Sequence, residues 1–165
     1  MLAMIHSLQG GTLSPDNSGL GRWLARFPRL RRQLHPWIIH FPITFMLSAT
    51  FFSLLYLLTR IKSFQDTAWH CLVGGVLFTP LAMGTGLLTE KLNFPAPPRT
   101  ARIEKTLSLI LLATGLAAFI WGLAQPDILD NLQGWNLIYL FLILCLAPLV
   151  TVIGYFGGMI TFPLE

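Results

Sequence analysis

The stretch "LHPWIIHFPITFMLSATFFSLLYLLT", residues 34–59, decides how the whole chain is read. From Trp37 to Thr59 it carries no Lys, Arg, Asp or Glu. At about 1.5 Å per helical residue, that run is long enough to cross a hydrocarbon layer of about 30 Å. Two histidines, His35 and His40, and two prolines, Pro36 and Pro42, crowd its beginning. Lipid offers polar groups no hydrogen-bond partner, so this density of imidazole and interrupted backbone bonding asks for a cause.

Three further segments repeat the pattern: Thr67–Thr89, Thr106–Ala124 and Gly134–Phe162. Every Lys, Arg, Asp and Glu lies outside these spans and the first, which runs from Trp37 to Thr59. Apolar residues make up 54% of the 165 and charged residues 11%, well below the quarter or so usual in soluble domains. The expected fold is therefore all-α, an integral membrane four-helix bundle preceded by an amphipathic interfacial helix. It divides into a cytoplasmic tail over residues 1–34 and a four-span domain over 35–165. The net charge of +4 is small and localised, which excludes nucleic acid as a partner. Cys71 falls near a span end and Cys145 deep within another, so no disulfide is expected. Basic residues follow the first apolar ones, so the opening residues do not read as a signal peptide and are expected to be retained.

Orientation follows from the basic residues. Arg22, Arg26, Arg29, Arg31 and Arg32 precede the first span, while Lys91, Arg99, Arg102 and Lys105 flank the middle connection. Only Arg60 and Lys62 lie between spans one and two, and none lies between three and four. The positive-inside rule then places both termini and the middle connection in the cytoplasm. Trp69, Trp121 and Trp135 are expected at the outer interface and Trp37 at the inner one. The middle connection, "EKLNFPAPPRTARIEK", is proline-rich and reads as an extended surface loop.

Ahead of the first span, Leu20, Trp23, Leu24, Phe27, Leu30 and Leu34 recur at spacings of three and four, opposed by Arg22, Arg26, Arg29 and Gln33. That pattern predicts a helix lying on the membrane surface, its arginines on anionic headgroups, bent or broken at Pro28. Anchoring to lipid, docking to an acidic partner and a plain topogenic role all fit it. Within the spans, Ala82 with Gly86, Ala118 with Gly122 and Gly154 with Gly158 form small-xxx-small pairs. Such pairs predict close helix contact, as do Gly74 and Gly75; room for a flat cofactor ring is the functional alternative.

His40 and His70 are the titratable side chains expected within the hydrocarbon, with His35 at its edge. A neutral imidazole nitrogen is a common ligand for haem iron. His40 stands near the inner end of span one and His70 near the outer end of span two, so the two cannot share one metal. His35 and His40, five residues apart, point about 140° apart on a straight helix. Met83, Met159 and Lys105 are the groups expected at the level of His40, and His/Met ligation of haem is chemically sound. A histidine from another subunit serves equally well. The structural alternatives are simple: His35 before a proline where the helix begins, His40 bonding a carbonyl freed near Pro42, and His70 resting at an interface. No Ser–His–Asp grouping, CxxC, HExxH or phosphate-binding glycine loop occurs. Four short spans carrying no charge offer little for an ion path.

The motifs "HPWIIHFPITF", "GGVLFTPLAMGTGLLTE" and "GYFGGMI" resemble the bacterial membrane family known as domain of unknown function 2231. That family's first span opens on a pattern near HPxxVHFPIAL, its second ends in a TGLLD-type turn, and a glycine pair closes its last. The resemblance covers about residues 35–160. It implies four spans with cytoplasmic ends, association with Rieske-type or cytochrome modules, and a b-type haem role carried here by His35 and His40. Members often carry another histidine early in span three, where this chain has "EKT" at Glu104–Thr106. The expected function is thus a non-catalytic membrane subunit of a respiratory or photosynthetic electron-transfer assembly, in a bacterial cytoplasmic or intracytoplasmic membrane. The alternative is a cytochrome-like protein binding haem b or chlorophyll through His40, with His35, His70 and Met83 as further candidate ligands.

Overall fold

A computed structural model describes residues 28–93 and 99–161, with side chains over 35–91 and 99–158. Four helices follow one another: α1 (Pro28–Thr59), α2 (Lys62–Asn93), α3 (Arg99–Ala124) and α4 (Asn136–Thr161). All four are long and apolar enough to cross a membrane. They form an up-and-down bundle in which α1 meets α2, α2 meets α3, α3 meets α4 and α4 returns to α1.

The helices outrun their apolar cores. Proline fits the first turn of a helix, where its missing donor has no intrahelical partner, and Pro28 begins α1. The helix then continues through Pro36 and Pro42, so residues 28–34 extend the first span at its basic end. Arg22 and Arg26 lie outside the described residues; Arg29, Arg31 and Arg32 fall on the first turns of α1. The middle connection also differs from expectation. Glu90–Asn93 complete α2 and Arg99–Lys105 open α3, because polar residues at an interface continue a helix as readily as apolar ones.

At the other end the chain reverses over Arg60 and Ile61. Arg60 takes a left-handed conformation (φ 58°) and its N–H donates to the Tyr56 carbonyl at 2.7 Å, closing α1 as an αL cap. The connection from α3 to α4 folds back onto the bundle. Ile128 and Leu129 are buried there, while Lys62 Nζ donates to Asp127 at 2.9 Å and also pairs with Asp130. Asp130 accepts the Tyr56 hydroxyl as well, and Gln65 Nε2 donates to the Pro126 carbonyl at 2.6 Å.

Midway along the bundle, Met46 is fully buried. A Cβ added at Gly75 would lie 2.7 Å from its sulfur, and one added at Gly115 would lie 2.9 Å from its methyl. These two glycines therefore admit Met46, and the three helices close into a tight waist. Thr50, one turn on, donates to the Ile143 carbonyl of α4 at 2.8 Å. Interhelical bonds of this kind contribute about 0.6 kcal/mol on average in a membrane. The small pairs expected to pack helices do so within the chain at Gly122, against Trp69, and at Gly86, against His35; among the described residues nothing lies within 4 Å of a Cβ at Gly158.

Candidate functional site

Between the waist and the basic end the four helices part around a cavity of ≈ 110 Å³. Its apolar wall includes Ile39, Ile43, Ala82, Leu111 and Ile153. His35, Glu90, Glu104 and Lys105 gather toward the basic end, and Thr79, Met83 and Ser108 line it further in.

Helix geometry explains why His35 belongs here and His40 does not. Counting back from the buried Met46 by turns of three and four gives Ile43, Ile39 and His35, one stripe facing inward. Trp37, His40, Phe41, Thr44 and Leu47 occupy the opposite face and are exposed. The His35 ring lies against Gly86, where a Cβ would come within 3.0 Å of Cε1, so the glycine expected to serve helix contact makes room for an imidazole.

The hydrogen bonds assign that ring's protons. Thr85 Oγ1 donates to the Ala82 carbonyl at 2.9 Å and is left with lone pairs for His35 Nδ1, 3.2 Å away. His35 Nδ1 therefore carries a proton and donates. Its Nε2 faces Glu104 Oε1 at 3.6 Å. Two acceptors in that position repel each other unless one proton resides on the pair. Nearby, Lys105 Nζ and Glu90 Oε2 stand 3.9 Å apart as a second, looser pair. Ser108 lies one turn beyond Glu104 on α3, about 6 Å deeper, and its hydroxyl makes no hydrogen bond among the described residues.

His40 is exposed on the outer face of α1 and its Nδ1 lies 2.5 Å from the Pro36 carbonyl. That carbonyl can only accept, so Nδ1 carries the proton and Nε2 presents a lone pair away from the bundle. His70 repeats the arrangement at the opposite end, Nδ1 lying 2.6 Å from the Asp66 carbonyl on an exposed face of α2. Met83 shares the cavity with His35, while the side chain of Met159 lies outside the described residues. The structure thus brings together His35, Met83 and Lys105 and keeps His40 and His70 apart from them and from each other. Among the described residues, no three His, Cys, Asp or Glu side chains converge as a metal site.

Glu104 is the member that a hydropathy reading overlooks, because it sits just outside the apolar run of its span. Its position four residues before Ser108 and seven before Leu111 is the available signal, since Leu111 is buried in the core. The family described as "Predicted membrane protein (DUF2231)" matches residues 31–164. The chain belongs to this family. In this DUF2231 member the HPWIIHFP segment holds one histidine inside the bundle and one outside, and Glu104, at the head of the "EKT" that replaces an expected histidine, is the residue opposite His35. No curated protein and no solved structure matches the chain.

Proposed function

We propose that this protein is a non-catalytic membrane subunit of a respiratory or photosynthetic electron-transfer assembly, packed against other membrane subunits. It resides in a bacterial cytoplasmic or intracytoplasmic membrane with both termini in the cytoplasm, as its basic residues favour. The observation that carries this reading is the outward His40 imidazole. It lies six residues from Met46 along α1, about 9 Å from the waist and so within the hydrocarbon half-thickness of about 15 Å. Lipid tails leave its Nε2 lone pair unpaired, at a cost of order 1–3 kcal/mol. A neighbouring subunit removes that cost by presenting a donor, and the exposed Trp37 and Phe41 beside it supply apolar contact.

The same geometry favours a second reading, a haem b or chlorophyll held through His40. Metal-ligating histidines characteristically donate their other ring N–H to a carbonyl, which fixes the tautomer and leaves the ligating nitrogen free. His40 has that arrangement through Pro36. A second axial ligand belongs to another chain, because His35 is engaged with Thr85 and Glu104 and Met83 lines the interior. The reduced-minus-oxidised absorption spectrum of the purified protein separates the two readings. A b-type band lost in His40→Ala establishes the cytochrome. A colourless, stable protein that copurifies with chromophore-bearing subunits establishes the packing role, and one that does neither overturns both.

A further inference from the structure

We propose that the cavity at the basic end binds the ring of a neutral para-dioxygenated amphiphile, a membrane quinone or its quinol. The site lies inside the bundle and His40 outside it, so this inference goes beyond the proposed subunit role and does not depend on it.

Size sets the first constraint. A cavity of ≈ 110 Å³ is comparable to the engineered apolar cavity of about 150 Å³ that takes up one benzene molecule. It holds a single six-membered ring and is far below the roughly 300–1,000 Å³ of pockets that enclose whole cofactors. A tetrapyrrole is therefore excluded from the interior, while a substituted ring whose chain continues into lipid is admitted.

The polar groups set the second. Ile39, Ala82, Leu111 and Ile153 give the ring apolar walls. Hydrogen-bonding groups stand at two levels: His35 Nε2 with Glu104 Oε1, 3.6 Å apart, and the Ser108 hydroxyl one helical turn deeper. Oxygens at opposite ends of a six-membered ring match two such levels. A quinone carbonyl accepts the proton resident on the His35–Glu104 pair, and its other carbonyl accepts from Ser108. A quinol reverses both bonds, its hydroxyls donating to Glu104 and to the Ser108 oxygen. Either redox form finds partners, because the imidazole, carboxyl and hydroxyl groups each exchange donor and acceptor roles.

Charge sets the third. Lys105 is offset by Glu90, 3.9 Å away. The His35–Glu104 pair with its one shared proton is neutral overall, whether that proton sits on the imidazole Nε2 or on the carboxyl. The described lining residues therefore hold no surplus positive charge with which to attract a fatty-acid carboxylate or a phosphate headgroup, and a neutral ring is favoured.

The test is a calorimetric titration of the full-length protein in detergent with a short-chain alkyl para-benzoquinone, its quinol, an alkylbenzene lacking oxygens, and dodecanoate. The expected result is saturable binding of quinone and quinol at one site per chain, with the alkylbenzene and dodecanoate at least tenfold weaker. Ser108→Ala and Glu104→Gln each weaken the quinone by about three- to tenfold, one hydrogen bond's worth. Ser53→Ala, beyond the waist, leaves binding unchanged. Helicity and elution volume confirm that each variant is folded. The proposal is overturned if folded wild-type protein shows no saturable quinone binding, if alkylbenzene or dodecanoate binds as tightly, or if both cavity variants bind like wild type.

Discussion

Gly122→Ala tests the helix approach that closes the far half of the bundle. An alanine Cβ there would sit 2.7 Å from Trp69 Cζ3, 3.2 Å from Cε3 and 3.3 Å from the Tyr139 hydroxyl, where ordinary contact begins at 3.4 Å. The indole cannot fold away as a methionine can. It is a rigid plane stacked on Phe119, with centroids 5.3 Å apart and planes 9° from parallel. Relief requires several tenths of an ångström of movement by the stacked pair or by α3 itself. Overpacking of this kind costs about 1–3 kcal/mol. Gly84 is the internal control, since nothing lies within 4 Å of a Cβ placed there. Gly84→Ala is expected to gain about 0.5–1 kcal/mol from reduced backbone freedom. Unfolding in mixed micelles with increasing dodecyl sulfate, followed by helicity and tryptophan emission, should separate the two variants by roughly 1.5–4 kcal/mol. Equal stability of the two, or a destabilised Gly84→Ala beside a native-like Gly122→Ala, would refute the packing of α2 on α3 at Trp69.

Three other outcomes follow from the same structure. Met46→Ala removes the side chain that fills the waist and is expected to cost about 2–5 kcal/mol in the same unfolding assay. Tyr56→Phe deletes the hydroxyl that donates to Asp130; hydrogen bonds to a charged group contribute about 1.5–3 kcal/mol, and the loss should appear as faster proteolysis of the connection over residues 125–135. For orientation, Gln133→Cys in a chain with Cys71 and Cys145 replaced is expected to react with an impermeant maleimide only from the non-cytoplasmic side. Position 133 is exposed, whereas the neighbouring Ile128 is buried and would label poorly from either side.

The four spans were legible because hydrophobicity and charge segregate along the chain, and the helices contain every predicted span except the ends of the last: α4 begins at Asn136, after the predicted Gly134. Helix length was less legible. Hydropathy measures the part of a helix that lipid covers, so it missed residues 28–36 of α1, Lys62–Asp66 and Glu90–Asn93 of α2, and Arg99–Lys105 of α3. Which face points inward was the hardest part to read. In a membrane both faces are apolar, so the usual contrast between buried and solvated sides is absent. What remains is the stripe of small and hydroxyl-bearing residues, Ala49, Thr50 and Ser53, all buried with Met46. Extending that stripe backward reaches His35 and bypasses His40. The histidines were visible as exceptional side chains, but their opposite surroundings follow from helix phase, and the pairing of His35 with Glu104 depends on a helix that charge had disguised as a loop.

The central claim, that this chain is a subunit of an electron-transfer assembly with His40 turned toward its partner, is tested most directly by its mass and spectrum after extraction. The full-length protein, tagged and taken from native membranes in a mild detergent, is sized by native electrophoresis while its absorption is recorded. The account predicts a species well above the 18.4 kDa chain, carrying redox chromophores, that dissociates in His40→Ala although the variant stays folded. A lone colourless chain, or an assembly indifferent to His40, would contradict it.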